Sequence, residues 1–138
     1  MKALLDTNIV IDILSKRDGY ETSLQVLRFC ETKKLDGWVS TTTITDVMYI
    51  MRRHSTSQQL RESVQTLLTI ADVAGVTKAD LSRAFSGSMS DFEDAVQAAC
   101  AKRIKAEYIV TRNLRDFEGS PVRAISPQDL LKLLGRIS

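Results

Sequence analysis

The stretch Lys2-Ala3-Leu4-Leu5-Asp6-Thr7-Asn8-Ile9-Val10-Ile11-Asp12-Ile13-Leu14 decides the fold. Residues 2–6 read as a short apolar strand closed by a carboxylate, and a helical pattern starts at once and runs to Leu14. The pattern breaks around Asp18-Gly19, and a second helix carries Leu24, Val26, Leu27 and Cys30 on its inner face. Asp36-Gly37-Trp38-Val39-Ser40 is a turn into a strand, and the threonines at 41–43 offer N-caps for a helix reaching about His54. Ser55-Thr56-Ser57 breaks and caps again, before an amphipathic helix over 58–70 with Leu60, Val64, Leu67 and Leu68 inward. A weak strand over 72–76 leads to a helix that begins near Thr77 and ends at Gly87. Ser90 and Glu93 have the spacing of a capping box, opening a helix of small residues that includes Ala95, Ala98, Ala99 and Ala101. Strands over 108–110 and 122–125 follow, and Ser126-Pro127 starts a last helix. Strands alternating with helices predict an α/β fold, a three-layer, doubly wound parallel sheet with helices on both faces, as one domain over residues 1–138.

Composition agrees. A chain of 138 residues buries roughly two-thirds of its unfolded surface without help from metal or disulfide. Hydrophobic residues at 43% and charged residues at 26% exclude a disordered or fibrous chain. Aromatics at 6% argue against a surface of rings that stack on bases, and a net charge of +2 permits a polyanionic partner without demanding one. Cys30 and Cys100 match no metal or disulfide spacing and read as small core residues of a protein in a reducing cytosol. The apolar run at the N-terminus is cut by Asp6, unlike a signal peptide, and no run of about 18 apolar residues exists to span a membrane. A cytoplasmic protein is expected.

In open α/β sheets the site forms at the carboxyl ends of strands, where strand order switches. Asp6 ends the first strand and Asn8 opens the helix after it. Thr111-Arg112-Asn113 ends the strand over 108–110, with Asp116 a turn beyond. Asp46 lies early in the helix after the second strand, while Asp91 and Asp94 open another helix three residues apart. Packed around one crevice, Asp6, Asp46, Asp94 and Asp116 converge. Carboxylates gathered in a partly dry cleft stay ionised only if a cation offsets them, and oxygen-only ligands suit Mg²⁺ or Mn²⁺. Such an ion acidifies a bound water and offsets charge on a phosphodiester. The single histidine, His54, lies in the run Arg52-Arg53-His54 and reads as a solvated residue near a helix end. With one histidine and no glycine-rich phosphate loop, metal-assisted hydrolysis is the enzyme class that survives.

Each acid alone also has an ordinary structural reading. Asp6 or Thr7 can cap a helix, Asp91 complements a helix dipole, and Glu93 completes a capping box. Asp46 is a first-turn acid among apolar neighbours, Asp116 a turn residue, and Asp12 faces solvent or pairs with Lys16. Asp94 lies past the capping positions on a helix of small apolar residues.

Together the segments are recognisable. Leu4-Leu5-Asp6-Thr7-Asn8-Ile9-Val10-Ile11-Asp12 resembles the opening of a PIN domain, the nuclease fold of VapC-type toxins. Asp91-Phe92-Glu93-Asp94-Ala95 with Ala98-Ala99-Cys100-Ala101 resembles that family's third motif, and Tyr108-Ile109-Val110-Thr111-Arg112-Asn113-Leu114-Arg115-Asp116-Phe117 its fourth. The resemblance covers nearly the whole chain in order. It implies a Mg²⁺- or Mn²⁺-dependent endoribonuclease in which Asp6, Asp94 and Asp116 hold the metal. Asn8 and Asn113 are then supporting polar groups, and Thr111 holds the strand end. The second acid departs from the pattern: many PIN nucleases place Glu there, and the best match is Asp46, one methylene shorter.

The family also implies a small antitoxin partner that covers the cleft, and a homodimer. Among the basic residues, Lys33, Lys34, Arg52 and Arg53 read as scattered solvated charge. Arg112 and Arg115, interleaved with the fourth motif, are the candidate RNA-backbone contacts. A PIN-like module that binds RNA or protein without cutting is the alternative that the Asp46 departure favours. A phosphotransfer receiver is disfavoured, because Asn8 stands where its second Asp belongs and no Lys ends a strand suitably.

Overall fold

The computed structural model describes residues 1–137. The chain runs β1 (Lys2–Leu5), α1 (Thr7–Ser15), α2 (Tyr20–Glu31), β2 (Asp36–Ser40), α3 (Thr41–Met51), α4 (Ser57–Ile70) and β3 (Asp72–Ala74). It continues through α5 (Lys78–Ser86), α6 (Phe92–Arg103), β4 (Tyr108–Val110), a 3₁₀ turn (Leu114–Phe117), β5 (Arg123–Ile125) and α7 (Pro127–Ile137). The strands form one parallel sheet in the order β3-β2-β1-β4-β5. The chain therefore winds outward from β1 to β3, then crosses back to lay β4 on the free side of β1. That reversal leaves a crevice at the carboxyl ends of β1 and β4, where Leu5 is paired with Val110.

Both faces of the sheet are covered, which is why the central strands are apolar without alternation. Ala3, Leu5, Val39 and Val110 face a core built with Ile9, Val26, Val47, Val64 and Leu130 of the helices α1, α2, α3, α4 and α7. Leu4 and Ile109 point the other way, onto Ala98 and Ala101 of α6 and onto Phe117. The alanines of α6 let that helix lie close against the sheet. The doubly wound three-layer expectation is met. Among the described residues no helix is long and apolar enough to cross a membrane.

Several local expectations hold and three change. Gly87 caps the end of α5, Pro127 is the first residue of α7, and both cysteines are buried free thiols. His54 is exposed just beyond α3. Leu68, however, is exposed, because it lies about 100° round the helix from Leu67, the last residue of the buried stripe Leu60-Val64-Leu67. Asp91 caps α6 in place of the Ser90–Glu93 box. Its carboxylate accepts the Asp94 N–H at 2.9 Å, a charge-assisted bond that a hydroxyl does not match. Asp12 is buried and does not pair with Lys16, which has left the helix for a left-handed conformation at φ 52°.

Candidate active site

The crevice is an open cleft of about 290 Å³. Asp6, Asn8, Asp94, Asn113 and Asp116 line it, as do Glu93, Asp91, Arg17 and Gln97. The doubly wound topology thus brings three of the four predicted acids, from three separate segments, to one place.

Asp6 is fixed most firmly, being the first residue past β1 and the N-cap of α1. Its Oδ1 accepts the Thr7 N–H at 2.8 Å. Its Oδ2 accepts from the Thr111 hydroxyl at 2.9 Å and from Asn8 Nδ2 at 3.2 Å. The Thr111 hydroxyl in turn accepts the backbone N–H of Asn113 at 3.1 Å, so the turn after β4 is tied to the turn after β1. Burial pushes the Asp6 carboxyl above the ordinary range; the bonds from Thr111, Thr7 and Gln97 oppose this, and repulsion from Asp116 adds to it. Beneath it lies a hydroxyl–amide network: Gln97 Nε2 donates to Thr43 Oγ1 at 3.0 Å, and Thr43 shares a 2.9 Å bond with Thr7. Gln97 is a single polar residue in the buried run from Ala95 to Ala101, a signal that was visible in the sequence.

Asp94 is the third residue of α6, in its first turn, and half-buried. Burial raises its carboxyl to about 7, helped by repulsion from Asp6, Asp91 and Asp116. Asp116, on the 3₁₀ turn, is exposed at the cleft mouth.

Asp46 is not among the residues lining the cleft. It meets Glu93 instead, and that hydrogen bond is the main reason the Glu93 carboxyl rises to about 7. Burial and repulsion from Asp46, Asp91 and Asp94 contribute further. Glu93 thus carries less negative charge near neutral pH than an ordinary carboxylate. Glu93 and Arg17 are the charged cleft residues that the sequence did not reveal. The capping-box spacing of Glu93 explained it too well, and only the Asp91 cap releases its side chain toward α3.

Of the predicted RNA contacts, Arg115 is exposed on the 3₁₀ turn, whereas Arg112 directs Nε onto the buried carboxylate of Asp12. Lys33, Lys34, Arg52 and Arg53 lie on other elements, away from the cleft residues.

The donors fit a hard divalent cation by their chemistry. They are all oxygens, and their mutual repulsion is what a cation would relieve. Among the described residues no three or more Asp, Glu, His or Cys side chains already form one ion's ligand set. The acids ring the cleft without closing on a point.

Residues 2–115 match the family model of the PIN domain. The chain is 22% identical over 134 residues to ribonuclease VapC1 of Aquifex aeolicus, covering 93% of this chain and 92% of that protein. In fold it is similar to a chain of VapBC2 from Rickettsia felis, solved bound to a DNA fragment from their promoter. The TM-score is 0.71 at 17% identity, over 91% of this chain and 98% of that one. It is likewise similar to a chain of a toxin–antitoxin complex from Klebsiella pneumoniae, with TM-score 0.70 and 25% identity over 91% of this chain and 97% of that one.

Proposed function

The chain belongs to the PIN domain family, and on that premise we propose that it is a metal-dependent endoribonuclease, one nuclease domain over residues 1–138 that acts in the cytoplasm as the toxin of a toxin–antitoxin pair. The observation that carries the reading is the gathering of Asp6, Asp94 and Asp116 around one cleft, with the Asp94 carboxyl raised to about 7 partly by the other two. The relative named ribonuclease VapC1 supports cutting of RNA, and the toxin–antitoxin assemblies among the structural neighbours support a small antitoxin as partner.

In this reading Asp6, Asp94 and Asp116 hold Mg²⁺ or Mn²⁺. When bound, the ion supplies positive charge against the phosphodiester and a more acidic water. The chain's own residues do the rest. Thr111 and Asn8 hold Asp6 Oδ2 while the Thr7 N–H holds Oδ1, and the Thr111 and Thr7 bonds favour the ionised form against burial. Asp94, raised to about 7 by burial and its acidic neighbours, would have to lose its proton to serve as a ligand. Asn113 presents its amide at the rim, and Asp46 acts through Glu93. Arg112 and Arg115, interleaved with the fourth motif, meet the RNA backbone. The exposed Phe85 and Phe92 rings, 4.4 Å apart, form an apolar patch that supports pairing with a second copy.

The test is cleavage of a mixed RNA panel by purified protein in Mn²⁺ or Mg²⁺, against EDTA and Asp94→Asn. Cutting that requires the ion and disappears in Asp94→Asn is expected. Identical traces from both proteins, with no divalent binding by calorimetry, would replace the nuclease with a PIN-like module that binds without cutting. The carboxyl pairing of Asp46 with Glu93 favours that second reading.

A further inference from the structure

At one rim of the cleft, two arginines converge on a single buried carboxylate. Asp12 is 2% exposed, and its Oδ2 receives Arg112 Nε. Its Oδ1 lies 3.7 Å from Arg17 Nη1, beyond hydrogen-bond range, and accepts no hydrogen bond at all. A carboxylate is kept in such a place only with a partner, and one arginine suffices to neutralise its charge. The second brings the local sum to +1.

The two arginines arrive by separate local devices. Arg112 directly follows Thr111, so consecutive residues of the β4 turn are held by two carboxylates of the β1–α1 unit, Thr111 by Asp6 and Arg112 by Asp12. Arg17 arrives through the left-handed turn at Lys16, where the Lys16 and Arg17 N–H groups both close on the Asp12 carbonyl. That turn sends the chain back toward the cleft, and Arg17 lines it. Both arginine side chains stay about half exposed. Arg112 spends Nε on Asp12, leaving its Nη edge for another ligand. Two guanidinium charges against one carboxylate leave one positive charge unmatched, beside a cleft whose other charged groups are acids.

We infer that Arg17 and Arg112, positioned by Asp12, form a phosphate clamp that takes a backbone phosphodiester of the RNA strand next to the one in the cleft. The planar fork of a guanidinium matches two phosphate oxygens. The clamp sits on the rim of the acid site, which suits a strand crossing the cleft. Asp12 is a positioning residue here and touches no substrate. The inference rests on the nuclease reading for the identity of the ligand.

The experiment is equilibrium binding of a short fluorescein-labelled single-stranded RNA in EDTA across a salt series, with Mn²⁺ cleavage by the same preparations in parallel. Arg17→Gln and Arg112→Gln are each expected to weaken binding roughly threefold and to flatten the log–log salt slope by about 0.7. Asp12→Asn gives the opposite signs for the two explanations. It removes a negative charge, so a diffuse basic patch would bind RNA more tightly, whereas a clamp that has lost its anchor binds it more weakly. Should Asp12→Asn not fold, Arg17→Gln decides, since it leaves the Asp12–Arg112 pair in place. Unchanged slopes in both arginine variants, with Mn²⁺ cutting retained, overturn the clamp and leave the nuclease standing. Altered slopes without cutting keep the clamp and overturn the nuclease. Absence of both RNA binding and cutting by the unaltered chain overturns both.

Discussion

Thr111 donates its hydroxyl proton to Asp6 Oδ2 across 2.9 Å, while Thr111 Oγ1 itself accepts the Asn113 N–H at 3.1 Å. One hydroxyl therefore fixes the acid at the end of β1 and the turn after β4, and both interactions use its full polarity. Thr111→Val keeps the volume and removes the donor. The expected loss is about 1–3 kcal/mol of stability by urea denaturation, because the Asn113 N–H loses its acceptor and the buried Asp6 Oδ2 is left with the Asn8 amide alone. The Thr111 bond lowers the Asp6 carboxyl against its burial, so losing it moves the pH midpoint of divalent binding upward. Thr111→Ser should restore both. A valine variant with unchanged stability and unchanged metal titration would refute the coupling.

Asp94 makes a prediction in which stability and function part. Its carboxyl rises from 3.8 to about 7 in the fold, mainly through burial and then through Asp6, Asp91 and Asp116. The folded state thus binds the proton more tightly than the unfolded chain. The stability this lends is fully present below 3.8 and is lost as pH rises through about 7. Asp94→Asn, which cannot ionise, should melt higher than the unaltered chain at pH 8 and about the same at pH 4, while losing cleavage. A divalent ion should raise the melting temperature of the unaltered chain and leave Asp94→Asn where it was. Equal melting of both proteins at pH 8 without metal would argue against repulsion in the cleft.

Asp46 and Glu93 are expected to differ in their effect on cutting. Glu93 lines the cleft and Asp46 lies outside that lining, hydrogen-bonded to Glu93. Glu93→Gln removes a cleft carboxyl, whereas Asp46→Asn leaves Glu93 a hydrogen-bond partner. The cleavage rate should therefore fall further in Glu93→Gln than in Asp46→Asn, by about tenfold or more if a transition-state contact is lost. Single-turnover rates check it. A larger loss in Asp46→Asn would return the second acid to Asp46 itself.

These particulars show where the sequence is readable. Asp6, Asn8, Asp94, Asn113 and Asp116 could be placed together because strand ends at a switch point are fixed by topology, and topology follows from the order of strands and helices. Glu93 was hidden by a local pattern: Ser90-x-x-Glu93 spells a capping box, and a competing cap one residue later wins on charge. Asp12 was hidden by a surface rule, since an acid four residues before Lys16 pairs along a helix only while the helix continues. Arg17 depends on that same left-handed turn. What escaped, in each case, was decided by a single residue's backbone conformation or by which of two side chains reached an amide first.

The packing of α2 on the sheet gives a prediction remote from the cleft. A Cβ added at Gly37 would lie 2.4 Å from Cys30 Sγ and 3.3 Å from Cys30 Cβ, so the helix and β2 touch at a point that admits no methyl group. Cys30 is buried in the main core, with its thiol pushed up to about 12 by burial and by Asp36, so it is a neutral packing atom there. Gly37→Ala should cost about 1–3 kcal/mol by overpacking. Cys30→Ala alone leaves a small cavity and costs a little on its own. Together the two changes should cost less than their sum, because the new methyl occupies space the sulfur vacated. Gly37 pairs with Ala3, near the start of β1 and so at the opposite end of the sheet from Asp6, and the Mn²⁺-dependent cleavage rate of the folded variants should be unchanged. Strictly additive losses in urea denaturation would mean that β2 shifts away from α2 to accept the alanine, and that the contact does not set their spacing.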